Sequence, residues 1–278
     1  MDNHSLEVDI YSFYCFYILS CNLYNSLLAN KSGNSFGSNI DKNLSLNEIS
    51  TKFPFSNQEK CLWASKSPIF VTWLKFSDSE SLKDNYELRG CIGTFSKLDL
   101  NLGLKEYALI AALKDNRFPP IGFEELKDLK CGVSILHNFK VIYDKSMTDT
   151  RMHDADSKRD NSNFWVHIEK NFQILPNNIN DTNGIEIKFS YYNSHFSSTF
   201  LPEVMVENEF DIKDTVEHLF IKGLSHEYSS SKDQKAITKV LMYDPRKYID
   251  KVTVYKSSKT SITYSAFKKV VSSWAETE

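Results

Sequence analysis

Glu87-Leu88-Arg89-Gly90-Cys91-Ile92-Gly93-Thr94-Phe95 is the stretch on which the reading of this chain turns. Its β-branched and aromatic content suits a strand, yet two of its residues are glycine, which weakens a strand unless something needs the room. Strict alternation places Leu88, Gly90, Ile92 and Thr94 on one face and Arg89, Cys91, Gly93 and Phe95 on the other. The Cys91 thiol then shares a face with the Arg89 guanidinium, two residues and about 6–7 Å away. A nearby cation favours the thiolate, the nucleophilic form. Gly93 would leave the floor beside it bare. A plain packing reading stands next to this one: a small buried cysteine, glycines admitting a close helix, and an arginine paired with a carboxylate.

Ile69–Lys75 (IFVTWLK) precedes this segment as a strand expected to pair antiparallel with it across a polar connection, Ser77–Asn85. Leu102–Leu113 reads as a helix that Pro119-Pro120 prevents from continuing. Cys131–Leu136 and the alternating Gly184–Phe189 read as strands. Asp211 stands where an N-cap belongs for a helix running to about Lys222, with Gly223 as its stop. Lys251–Lys256 reads as a strand with Ser261–Tyr264 as its pairing partner. Near the start, Ile10, Phe13, Tyr14, Tyr17, Ile18 and Cys21, extended by Tyr24 and Leu28, recur at helical spacing and predict a buried first helix. Acidic residues precede that stretch, the wrong charge for a secretory leader, and polar residues interrupt it too often for a bilayer span. Polar insertions are expected near 30–57, 144–163 and 225–234. Strands and helices intermix without a regular βαβ series, which favours α+β.

The chain has 278 residues, 41% hydrophobic and 25% charged, with a formal net charge of −3. This composition excludes a disordered chain and gives no footprint for a polyanion partner, so nucleic-acid binding is disfavoured. Five cysteines, an odd number with no C-x-x-C pair, support neither a zinc ribbon nor a thioredoxin motif. Reduced thiols in the cytosol or nucleus are the expectation. No phosphate-binding loop, dinucleotide fingerprint or metal-ligand motif occurs, so no nucleotide or metal cofactor is implied.

LRGCIGTF, with PIFVTW before it and GLKEYA, DNRFPPI, VSIL, GIEIKF, FLPEV and YKSSKTSITY following in order, resembles the AMMECR domain family, in its fungal form. The resemblance covers roughly residues 8–267 and treats the whole chain, 1–278, as one such domain with polar insertions. It implies an α+β fold of two subdomains, antiparallel sheets flanked by helices, with the signature at the cleft between them. No single reaction is implied. The cleft would bind a protein partner or another large ligand. The alternative is a cysteine-dependent enzyme acting on a protein or nucleic-acid substrate. On this resemblance Cys91 and Glu203 are the candidate catalytic residues, and Arg89, Gly90, Gly93, Arg117 and Asn183 the candidate ligand-binding ones. Glu203 would serve as a general acid or as the partner of Arg89. The family usually carries histidine where this chain has Asn183. Asparagine can donate a hydrogen bond but takes no proton, so a Cys–His pair is not available at that place. Asp115 and Arg117, just past a helix, read equally as a helix-end ion pair or as an arginine awaiting an anionic group.

Overall fold

A computed structural model of the chain describes residues 9–30, 44–52, 66–77, 85–148, 162–175, 182–225 and 227–275. In chain order its elements are α1 (Ile10–Asn30), α2 (Leu46–Lys52), β1 (Lys66–Phe76), β2 (Tyr86–Asp99), α3 (Leu100–Leu113), a 3-10 helix (Phe123–Asp128) and β3 (Leu129–Asp144). There follow α4 (Lys145–Thr148), α5 (Ser162–Asn171), β4 (Gly184–Tyr191), β5 (Ser194–Phe200), α6 (Pro202–Glu207) and α7 (Ile212–Leu224). The chain continues with α8 (Ser231–Tyr243), α9 (Pro245–Tyr248), β6 (Ile249–Thr263) and α10 (Tyr264–Ala275). The strands are ordered β2-β1-β3-β6-β4-β5. β1 is antiparallel to β2 and β3, and β4 is antiparallel to β5 and β6. This is the α+β class expected. Two compact units result, residues 1–135 with 259–278, and residues 136–258, and the long strands β3 and β6 each contribute to both.

In the first unit α1 is the centre of the core. Asp9 caps it, its Oδ1 accepting from the N–H groups of Tyr11 and Ser12 at 2.9 and 3.0 Å. Ile10, Phe13, Tyr14, Tyr17, Ile18 and Cys21 of the expected stripe are buried, Tyr24 is half-buried and the Leu28 side chain lies outside the described ones; Tyr11, Ser12, Cys15, Phe16, Leu19 and Ser20 are buried as well. A helix apolar on nearly every side has to be enclosed. Phe267 of α10 stacks on Phe16 at 5.0 Å, and the Trp73 ring of β1 meets Phe16 edge-on at 5.2 Å. The span expected as a polar insertion near 30–57 is described only at residues 44–52, where Leu44, Leu46 and Ile49 are buried.

One face of the β1–β2 pair carries Ile69, Val71 and Trp73, all buried, against α1 and α3. Ala108 and Ala111 keep α3 low on that face. The Trp73 indole N–H donates to the Ala108 carbonyl at 3.0 Å, and a Cβ on Gly90 would stand 2.1 Å from the Ala111 carbonyl oxygen. The room left at Gly90 is therefore taken by α3, as the packing reading of the glycines expects. Gly93 differs from expectation. Its cross-strand partner is Phe70, whose ring lies where a Gly93 Cβ would stand, at 2.3 Å, and which makes a T-shaped contact with Phe95 at 5.3 Å. The floor beside Cys91 is thus roofed by an aromatic ring.

In the second unit Ile185, Ile187 and Phe189 of β4 pack with Val216, Leu219 and Phe220 of α7. Asp211 and Asp214 form a reciprocal cap at the start of α7. Gly223 does not stop that helix. It lies inside it, because a Cβ there would meet the Phe189 ring at 2.7 Å. Two further expectations change. The segment expected as a polar loop to residue 234 becomes helical at Ser231, capped by Ser230, and only Thr238 and Leu241 of α8 are buried. Lys251–Lys256 and Ser261–Tyr264 do not pair, because Ile249–Thr263 is one continuous strand.

Adding a methyl group at Gly90 or at Gly93 should destabilise to a similar degree, about 1–3 kcal/mol each. Urea midpoints of Gly90→Ala and Gly93→Ala at unchanged slope check this, and a Gly93→Ala midpoint equal to the parent would remove the Phe70 roof.

Candidate functional site

The signature strand β2 lies at the edge of the sheet. Its outward-facing backbone at Cys91 is satisfied by two side chains from the turn after α3. The Cys91 N–H donates to Asp115 Oδ2 at 2.9 Å, and its carbonyl accepts from Arg117 Nη2 at 3.1 Å. Asp115 in turn receives Arg117 Nε on Oδ1 at 2.9 Å and Nη2 on Oδ2 at 2.7 Å. The Arg117 N–H adds a further bond to Oδ1 at 3.2 Å. A buried carboxylate is tolerated because all these donors converge on it. The Asp115 side chain is 2% exposed and that of Arg117 52%. The Arg117 guanidinium holds the Asp115 carboxyl well below the usual carboxylate range, against burial and with help from the Cys91 and Arg117 N–H groups. In return the hydrogen bond to Asp115 raises Arg117 above its ordinary value. Burial opposes this, and the charges of Asp115 and Cys91 add to it.

Because Cys91 directs its N–H and C=O outward, its pairing with Thr72 on β1 is of the non-hydrogen-bonded kind, in which side chains come closest. Thr72 Oγ1 lies 3.1 Å from Cys91 Sγ. Cys91 is half-buried, whereas Cys15, Cys21 and Cys131 are buried. Burial pushes the Cys131 thiol up, with Cys15 adding to the effect. Cys61 lies outside the described residues.

Arg89 is placed differently from expectation. Leu88 pairs with Leu74 and Gly90 with Trp73, so Arg89 is the extra residue of a β-bulge and has no partner on β1. The bulge breaks the alternation. Arg89 makes a bidentate pair with Glu125, Nε to Oε2 at 3.0 Å and Nη2 to Oε1 at 2.9 Å. It also donates to the carbonyls of Pro119 and Pro120. Lys75 joins the same carboxylate at 2.9 Å. On β1, Lys75 alternates to the face opposite Thr72, so the guanidinium lies with that face and its 3-10 helix, and Arg117 is the cation beside Cys91. Leu88 moves too: alternation puts it on the face opposite Cys91, but it shares Thr72's side of the pair and is 40% exposed. Glu125, not Glu203, is the carboxylate partner of Arg89. Burial works to raise the Glu125 carboxyl, but hydrogen bonds from Arg89, the Gly122 N–H and Lys75 outweigh it and bring it down to about 2.

Of the remaining candidates, Asn183 and Glu203 belong to the second unit. The Asn183 N–H donates to the Gln173 carbonyl at 3.4 Å just before β4, and Glu203 stands in the first turn of α6 behind Pro202. Tyr255, which sequence reasoning passed over, organises this neighbourhood. Its ring fills the space beside Gly184, its hydroxyl donates to the Phe200 carbonyl at 2.9 Å, and it meets Thr199 Oγ1 at 2.8 Å. Burial raises its pKa, with Thr199 opposing and the Glu203 and Glu186 charges adding. Thr72, Asp115 and Glu125 complete the first-unit site. The conspicuous sequence signal among them is D-x-R after a helix followed by two prolines. Among the described residues no group of three or more His, Cys, Asp or Glu is placed to hold a metal ion, and no helix is long and apolar enough to cross a membrane.

An α+β fold with a glycine-bearing edge strand clamped through its cysteine backbone is the class defined so far. A model of the AMMECR1 family matches residues 38–247, and the chain belongs to that family. An uncharacterized protein of Kluyveromyces lactis is 38% identical over 77% of this chain and 79% of its own length. One of Saccharomyces cerevisiae is 33% identical over 93% and 87%. The crystal structure of an uncharacterized protein from Pyrococcus horikoshii covers 92% of this chain and 94% of its own, at 17% identity and a TM-score of 0.47.

Two outcomes follow for this site. Competitive alkylation read by mass spectrometry should modify Cys91 well before Cys15, Cys21 and Cys131. If Cys91 is the slowest of these four, its thiol is not accessible. Glu125 binds its proton more weakly folded than unfolded, so its stabilisation is complete above its ordinary value of 4.5 and is lost as pH falls from there towards about 2. Glu125→Gln should flatten that part of the stability profile, measured by urea denaturation across pH 2–5.

Proposed function

We propose that the face of β1 and β2 bearing Thr72 and Cys91 binds a segment of a protein partner or another large ligand. The observation that carries this is the row of apolar groups on that face. Phe76 is 42% and Leu88 40% exposed, and Phe70, Leu74 and Phe95 are half-buried around the Thr72–Cys91 pair. Apolar side chains left in water as a contiguous group characterise interaction surfaces. The Asp115–Arg117 clamp refines the reading. With the outward N–H and C=O of Cys91 already bonded, a partner cannot extend the sheet at this point and lies across its face instead. Arg117, half in solvent, stands beside it as a cation for a partner carboxylate. A reduced Cys91 fits the cytosol or nucleus. The cysteine-dependent enzyme is the alternative, with Cys91 as nucleophile.

A photocrosslinking residue placed at Leu88 in cells should give a discrete adduct that the same residue at Lys235 of α8 does not. The adduct should disappear with Phe76→Asp and persist with Cys91→Ser. No adduct above the Lys235 control would end the interaction reading, and loss with Cys91→Ser alone would favour the enzyme.

A further inference from the structure

The second unit holds a cavity of about 600 Å³ on the polar face of β4, β5 and β6. Alternation along β4 sends Ile185, Ile187 and Phe189 into the core and Glu186, Lys188 and Ser190 to this face. The register aligns Lys188 with Ser197 on β5 and with Lys251 on β6, and Ser190 with His195. Two lysines directly opposite on neighbouring strands repel each other. Lys251 is compensated by Asp144 at 2.9 Å, and Lys145, also lining the cavity, donates to the Lys247 carbonyl at 2.8 Å. Lys188 has neither an ion pair nor a hydrogen bond from its ammonium group among the described residues.

The acidic groups of this cavity are already engaged. Asp144 takes Lys251 together with the Ser146 N–H and hydroxyl, and Asp250 accepts the Ser190 hydroxyl. Since the one hydroxyl proton of Ser190 goes to Asp250, the 2.8 Å contact between Ser190 Oγ and His195 Nδ1 has the imidazole donating. Nε2 is then the unprotonated nitrogen of the neutral ring, an acceptor. The serine sits between the imidazole and the carboxylate, whereas a nucleophilic triad needs the imidazole in the middle. The arrangement therefore orients a histidine rather than activating a serine.

We propose that this cavity binds a phosphate dianion, free or as the monoester of a small molecule. Lys188 and Lys251 would meet its oxygens as opposed cations whose repulsion the anion relieves. The Ser197 hydroxyl already donates to Glu186 Oε1 at 3.1 Å, and with Nδ1 donating the neutral His195 ring has only an acceptor at Nε2, so the ammonium groups of the two lysines are the donors that meet the anion. The cavity volume is in the range of small-ligand pockets. The site shares no residue with the β1–β2 surface and does not depend on the reading given to it.

The test is the melting temperature of the full chain in about 10 mM inorganic phosphate or hexose 6-phosphate, against hexose and chloride at equal ionic strength. Either phosphate compound should raise it by about 3 °C. A larger rise with the ester assigns a phosphomonoester, and an equal rise assigns free phosphate. Lys188→Gln should abolish the rise without lowering the melting temperature of the unliganded protein, since it removes a repelled charge. No rise with either compound, a rise unchanged in Lys188→Gln, or a Lys188→Gln variant that is itself less stable would overturn the site.

Discussion

The Asp115 carboxylate is the constraint around which the first unit's site is built. It is buried and charged, and it is satisfied only while Arg117 and the Cys91 N–H both reach it. Removing either donor would leave a buried charge short of partners, which costs far more than the pair contributes. The turn after α3 and the edge strand β2 are thereby tied together through one side chain. Gly90 makes the tie possible from the other face, since it lets α3 settle against the strand closely enough for that turn to reach Cys91. A sheet edge is ordinarily open to further pairing, and here its central residue is closed on both backbone groups.

The second arginine of the region serves a different task. Arg89 binds Glu125 in the planar fork geometry that lysine cannot reproduce, and it also takes the carbonyls of the two prolines. It therefore fixes the segment that carries the chain away from α3. The side chain is 11% exposed, which suits a structural pair more than a ligand contact. Two arginines near one cysteine thus divide their roles: one shapes the backbone path, the other brackets the cysteine.

Much of this was legible in the residues. The strand order around LRGCIG, the helix before the two prolines, the Asp211 cap and the family followed from local pattern and motif. What was not legible has a physical cause in each case. A bulge is invisible to alternation, and one extra residue was enough to move Arg89 off the Cys91 face and Leu88 onto it. The Phe70 ring over Gly93 and the Tyr255 ring over Gly184 are contacts between strands, which no local pattern contains. Gly223 looked like a helix stop because its packing partner, Phe189, is distant in sequence. α8 buries so little that its polar start reads as loop.

The closing of the sheet edge at Cys91 is tested most directly by native-state amide hydrogen exchange of that residue, followed by NMR. On an open edge strand its outward N–H would exchange with solvent. Bonded to the buried Asp115 carboxylate, it should exchange within about tenfold of the core amides of β1. Exchange of the Cys91 amide at the rate of an unprotected edge position, while β1 stays protected, would contradict the clamp and the reading of the surface built on it.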